Sequence, residues 1–252
     1  MKQNFFLLVF SIFFLESALA QVQNFNHILV DSTKVKWGDY DSPDWLRYFG
    51  LDAFDLNKDG IKDLISGRSI YLNPNVSLDN GWQKIDLGHN VDAFMGMDVD
   101  GDAFGDVIAM ALPNLYWYEA KNAEATEWQR TLIGQVPATS HVNSQGFEKL
   151  DFVRGGAMEF LIAGNGDVYL YEAHRANGTI TWEKKLIASN TSDEGIGYGD
   201  LDGDGDIDLV TGRRGVGDEE PTILVWFKNP NDGTGDWSGT EFAKTSHPID
   251  RI

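Results

Sequence analysis

Three segments of the chain set acidic and amide side chains at alternate positions over nine residues. They are Asp55-Leu56-Asn57-Lys58-Asp59-Gly60-Ile61-Lys62-Asp63, Asp98-Val99-Asp100-Gly101-Asp102-Ala103-Phe104-Gly105-Asp106 and Asp200-Leu201-Asp202-Gly203-Asp204-Gly205-Asp206-Ile207-Asp208. Counted from the lead aspartate, oxygen donors fall at positions 1, 3, 5 and 9, with glycine usually at 6. Alternate side chains of a tight loop converge on one point, and glycine allows the sharp turn. A flexible cage of hard, negatively charged oxygens suits Ca²⁺ better than Mg²⁺, which demands a regular octahedron. A helix-flanked calcium hand or a dockerin would need a carboxylate at position 12. That position holds Ser66, Ala109 and Thr211, and the flanks are strand-like. A degenerate copy, Asp151 to Glu159, has Val153 and Gly155 at inner positions, and no calcium is expected there.

The elements that hold these loops repeat with them. Lead aspartates at 55, 98, 151 and 200 are spaced 43, 53 and 49 residues apart. After each loop an apolar strand is expected, at Asp63–Gly67, Asp106–Ala111, Glu159–Gly164 and Asp208–Gly212. An aromatic strand follows, at Ile70–Leu72, Leu115–Tyr118, Val168–Tyr171 and Leu224–Phe227. A Trp-led strand comes next, at Trp82–Leu87, Trp128–Ile133, Trp182–Ile187 and Trp237–Phe242. Short strands such as Ala93–Met97 and Ile196–Gly199 lead into the next loop. Four short strands at this period, bounded by Gly, Asn, Asp and Pro, describe a β-propeller blade. The expected fold is therefore all-β, a propeller of about four blades over residues 21–252. Phe25–Val30 looks like an outer strand with Phe in place of Trp, placed to close a ring by pairing with a last blade. A ring of seven or eight blades needs more chain than this, so the expectation is a fragment of an incomplete ring.

The loops and strands together resemble the FG-GAP/VCBS repeat family, whose calcium-loop blades also occur in integrin α-subunit propellers. The resemblance extends over residues 25 to 252. It implies calcium ligands at Asp55, Asn57, Asp59 and Asp63; at Asp98, Asp100, Asp102 and Asp106; and at Asp200, Asp202, Asp204 and Asp208. It implies a structural role for the ions rather than a catalytic one. Ala103 departs from the pattern at position 6, so a strained or shifted turn is expected there.

The first twenty residues read as a cleavable secretory signal. Met1-Lys2 opens it, Phe5 to Leu15 is almost wholly apolar, and Ala18-Leu19-Ala20 is a small-x-small cleavage signal. The expected location is secreted, periplasmic or cell-surface, with no membrane span once the signal is removed. The chain has no cysteine, so disulfides are excluded as staples. A formal net charge of −19 argues against nucleic acid or an anionic membrane as partner.

Blade topology puts the acidic loops on one face and the blade-to-blade connections on the other. Arg68, Arg213 and Arg214 fall on that second face, as do His89, His141 and His247, with Asn143 beside His141. Arginine neutralises a carboxylate or sulfate, and His141 could abstract a proton in a lyase reaction. His141, Arg213, Arg214 and Arg68 are thus the candidates for any chemistry. The sequence contains no Gly-x-Ser-x-Gly elbow, His-Glu-x-x-His or P-loop. The reading favours a non-catalytic scaffold that binds a glycan or an extracellular protein. The alternative is a polysaccharide lyase acting on acidic glycans through the Arg/His face.

Overall fold

The computed structural model describes residues 26–34, 48–79, 81–139, 143–156, 158–191, 195–213, 222–230, 233 and 235–246. Among these residues the chain is all-β, with no helix and therefore none long and apolar enough to cross a membrane. The strands form four antiparallel sheets of four, each in chain order. The first sheet is β1 (Asp52–Phe54), β2 (Asp63–Ser66), β3 (Ser69–Leu72) and β4 (Gln83–Asp86). The second is β5 (Asp92–Met97), β6 (Asp106–Ala111), β7 (Asn114–Ala120) and β8 (Trp128–Gln135). The third is β9 (Phe147–Glu148), β10 (Met158–Gly164), β11 (Asp167–Ala176) and β12 (Thr179–Ser189). The fourth is β13 (Gly197–Gly199), β14 (Asp208–Arg213), β15 (Ile223–Lys228) and β16 (Ser238–Lys244). These are the expected blades, strand for strand.

The second and third sheets are buried on both faces because their strands alternate between two cores. Along β6, Val107 and Ala109 pack with Ile65 and Ile70 of the first sheet, while Ile108 and Met110 pack with Phe160 and Ile162 of the third. Along β10, Phe160 and Ile162 face the second sheet, and Leu161 and Ala163 face Leu209, Val225 and Phe227 of the fourth. A period of two with apolar residues on both sides is what stacked blades require. Glycine sets the closest approach. A Cβ on Gly96 of β5 would lie 2.4 Å from Phe54 Cβ and 2.8 Å from Ile65 Cδ1, so only hydrogen fits between the first two sheets there. Two hairpins of the third sheet turn on Asn-Gly pairs with positive φ at both residues, Asn165-Gly166 and Asn177-Gly178, as two-residue turns of this hand demand.

The second loop position shows how the stack is built. Leu56, Val99 and Phe152 each enter the core between their own sheet and the next, and all are buried. Leu201 has no following sheet among the described residues and is 53% exposed.

The outer strand expected at 25–30 pairs with none of the four described sheets. Phe25 lies outside the described residues, and 26–30 have no ladder partner. The segment instead lies along the first sheet, where Asp31 accepts a hydrogen bond from Tyr71 and pairs with Lys84, both at 2.7 Å. Asp31 thereby satisfies polar groups on a face of the first sheet that its neighbour does not cover, and its carboxyl is held below the usual range chiefly by Lys84 and Tyr71, against the opposing effect of burial. The expected signal at 1–20, and His141, Arg214 and His247, also fall outside the described residues.

Candidate metal centres

The ninth loop position is fixed first. Asp63, Asp106 and Asp208 begin the second strand of their sheets and are fully buried. Each uses one oxygen to accept a backbone N–H from the second loop position: Leu56 at 3.0 Å, Val99 at 2.9 Å and Leu201 at 3.1 Å. The other oxygen accepts an N–H at the end of the third strand, from Asn73, Ala120 or Asn229. The carboxylate thus ties the loop to the sheet whether or not a cation is near. In the degenerate loop Glu159 does part of this work. Its Oε2 accepts from Phe152 and Val153, while Oε1 is buried without a partner. The ladder continues there to Met158↔Ala173, one pair beyond Glu159↔Glu172. Burial raises Asp63 and pushes Asp106 and Glu159 up to about 7, against the effect of the N–H donors.

In two loops the remaining donors converge. Carboxylate oxygens of Asp98, Asp100 and Asp106 lie within 4.8 Å of one another, and so do those of Asp200, Asp202 and Asp208. Asp100 and Asp102 also gather with Glu119 of β7, a residue the loop spacing does not mark. These sets are all oxygen and rich in charge, which fits a hard divalent cation. In the first loop Asp55, Asp59 and Asp63 do not form such a group. There the donors are spent on the loop itself: Asp59 N–H reaches both Asp55 and Asn57 at 3.1 Å, and Asn57 Nδ2 donates to Asp59. Asp151 joins no donor group.

Ala103 removes a left-handed residue from its loop rather than straining the turn. At position 6, Gly60 and Gly205 have φ of 90° and 92° and donate to the lead aspartate. Ala103 is not in the left-handed region. Position 4 is left-handed in all three loops, with φ of 57° at Lys58, 75° at Gly101 and 78° at Gly203, and Gly101 and Gly203 donate to their lead aspartates at 2.6 and 2.7 Å.

Cations from the protein stand around the loops. Lys58, at position 4 of the first loop, lies 3.3 Å from Asp98 in the next. Arg154, at position 4 of the degenerate loop, lies 2.8 Å from Asp206. A position that faces solvent within its own loop therefore reaches the neighbouring blade. Arg175 donates to the backbone carbonyls of Asp98 and Val99, and Lys228 pairs with Asp202 and, at 2.8 Å, Asp204. A further donor group, Glu172, His174 and Glu183, lies on the β11–β12 hairpin, where His174 lines a cavity with Gly155 and Gly156 of the degenerate loop.

On the opposite face the two described arginines have matching partners on the fourth strand. Arg68 grips Asp86 through Nε and Nη2 at 2.9 Å each and reaches Asn90. Arg213 pairs with Glu241 at 2.7 Å and donates to the carbonyl of Asn190. Asn143 is buried and accepts the N–H of Leu112, and His89 Nδ1 lies 2.9 Å from the Leu87 carbonyl. Where the inner strands meet, Lys149 links Asp52 at 3.1 Å to the Gly96 carbonyl, beside a cavity of about 290 Å³ also lined by Phe94 and Glu148.

Comparison with known proteins agrees with the repeat. Residues 151–211 match the family model of the FG-GAP-like repeat, so this part of the chain carries that repeat, from the degenerate loop through the loop at Asp200. None of the curated proteins compared with the chain matches it. One similar solved structure concerns recognition of non-reducing terminal N-acetylglucosamine by an Agrocybe aegerita lectin. It is 17% identical with a TM-score of 0.41, and the match covers 76% of this chain. The chain spans about half the length of that structure.

Proposed function

We propose that the protein is an exported blade-repeat scaffold, braced by Ca²⁺ in its aspartate loops, that binds a glycan or an extracellular protein and does not turn it over. The convergence of Asp98, Asp100 and Asp106 carries this reading, because three carboxylates so close repel one another unless a cation lies between them. Calcium in the two converged loops would bring the formal charge from −19 to about −15. At free calcium tenfold above Kd, each site would add about 1.4 kcal/mol of stability. The ions identify and stiffen the blades, while the ligand is expected on the opposite face. The leader at 1–20 supports export, and the absence of cysteine leaves metal as the available staple.

The alternative reading is a polysaccharide lyase acting through the Arg/His face, where Arg68 pairs with Asp86 and Arg213 with Glu241. Incubation with a panel of acidic polysaccharides separates the two. Retention without new unsaturated ends is expected, and unsaturated ends would establish a lyase. Replacing Arg213, Arg214 and His141 together should abolish retention. Unchanged retention in that variant would remove this face as the site.

A further inference from the structure

The third sheet lacks the inner donors of the repeated loop but carries a row of carboxylates on its strands. Glu159 of β10 pairs with Glu172 of β11, and Glu172 with Glu183 of β12, so three glutamates stand side by side on one face. Like charges directly opposite one another weaken strand pairing. At the matching place the other sheets set Leu72 beside Gln83, Glu119 beside Gln129 and Lys228 beside Ser238. His174 follows Glu172 by two residues along β11, which puts it on the same face, and its Nε2 lies 3.5 Å from Glu183. One ring nitrogen of His174 and one oxygen each of Glu172 and Glu183 lie within 4.8 Å of one another.

Among the described residues, His174 is the one base paired with this row. The other bases of the hairpin are engaged elsewhere: Arg175 by the carbonyls of Asp98 and Val99, Lys184 by that of Gln135, and Lys185 by those of Gly233 and Gly235. Glu159 is an independent sign of a missing partner. It is 3% exposed, and its Oε1 is buried with no hydrogen bond. In the second sheet the matching oxygen of Asp106 accepts from Ala120. A buried carboxylate oxygen left unsatisfied beside two further carboxylates calls for a cation or for the water around one. There is room for both. The cavity that His174 lines with Gly155 and Gly156 measures about 340 Å³, and no atom stands within 4 Å of where a Cβ on either glycine would lie.

We propose that Glu172, His174 and Glu183 bind a transition-metal cation of the Zn²⁺ class, with water completing its shell. Zinc accepts imidazole nitrogen and carboxylate oxygen together, whereas calcium takes oxygen alone. The two strands supply the ligands without any loop, through one cross-strand pair and one residue two along on the same face. The blade whose acidic loop has degenerated thus carries a different metal site, on its outer hairpin. The site does not depend on the calcium reading above.

Calorimetric titration with zinc chloride, in a buffer that already contains calcium, tests this on the parent protein, on His174→Ala, on Glu172→Gln, and on Asp98→Asn combined with Asp100→Asn. A zinc-binding step is expected in the parent and in the loop variant. It should weaken at least about tenfold in His174→Ala and in Glu172→Gln. The His174 side chain is 45% exposed, so His174→Ala should melt with the parent before zinc is added, and zinc should then raise the parent's melting temperature above the variant's. Zinc uptake unchanged in His174→Ala would place the ion elsewhere and overturn the site. A parent protein that takes up no zinc would overturn it as well. Neither result bears on the calcium loops, whose ligands His174→Ala leaves intact.

Discussion

Asp63 Oδ2 accepts the backbone N–H of Leu56, seven residues earlier, at 3.0 Å. The bond folds the acidic loop back on the strand that follows it, and it recurs at Asp106 with Val99 and at Asp208 with Leu201. The ninth position is therefore a clasp of the blade as well as a candidate ligand. Replacing it with alanine would leave two N–H groups, of Leu56 and Asn73, without their acceptor. Asp63→Ala is expected to cost about 2–4 kcal/mol in urea unfolding, and Asp63→Asn, which keeps one acceptor oxygen, less. Running both in EDTA separates the clasp from any ion. A neutral Asp63→Ala would show that the bond is incidental.

A buried carboxyl away from the loops sets a pH dependence. Asp92 is fully buried and accepts the N–H groups of Phe49 and Gly50, and burial pushes it up to about 7 from 3.8. Below 3.8 the group is neutral in the folded and unfolded chains alike. Between 3.8 and 7 the folded chain holds a proton that the unfolded chain releases, so stability falls as pH rises through that window. Above it the penalty is constant. Asp92→Asn should flatten this part of the stability–pH curve. An unaltered slope in that variant would place the titration elsewhere.

Packing between the first two sheets depends on a missing side chain. Gly96→Val places new atoms against Phe54 and Ile65, both in the sheet beside it. Overpacking of this kind costs about 1–3 kcal/mol. Chemical denaturation should show that loss, with Phe54→Ala in the same chain recovering part of it if the contact is the cause.

Much of the architecture was legible because blades repeat. The four acidic segments fixed the period, and the apolar, aromatic and Trp-led runs fell where β2–β4 and their counterparts lie. Residues whose role depends on register were not legible. Glu119 and Lys228 follow the aromatic strand and meet acidic residues about twenty positions upstream, a meeting that only the ladder reveals. The clasp at position 9 was hidden for the same reason, since an aspartate that binds backbone N–H groups looks the same in sequence as one that awaits an ion. Lys58 and Arg154 serve the next blade rather than their own, which spacing within one loop does not express. The strand-like composition of 26–30 did not express the contacts that follow it, where Asp31 meets Tyr71 and Lys84.

The most direct measurement of the central claim is a thermal melt of the protein in EDTA, followed by one with calcium restored in excess. The expected result is a lower melting temperature in EDTA, recovered by calcium, with Asp98→Asn and Asp100→Asn together removing one loop's share of the response. A melt that is the same in EDTA and in calcium would contradict it.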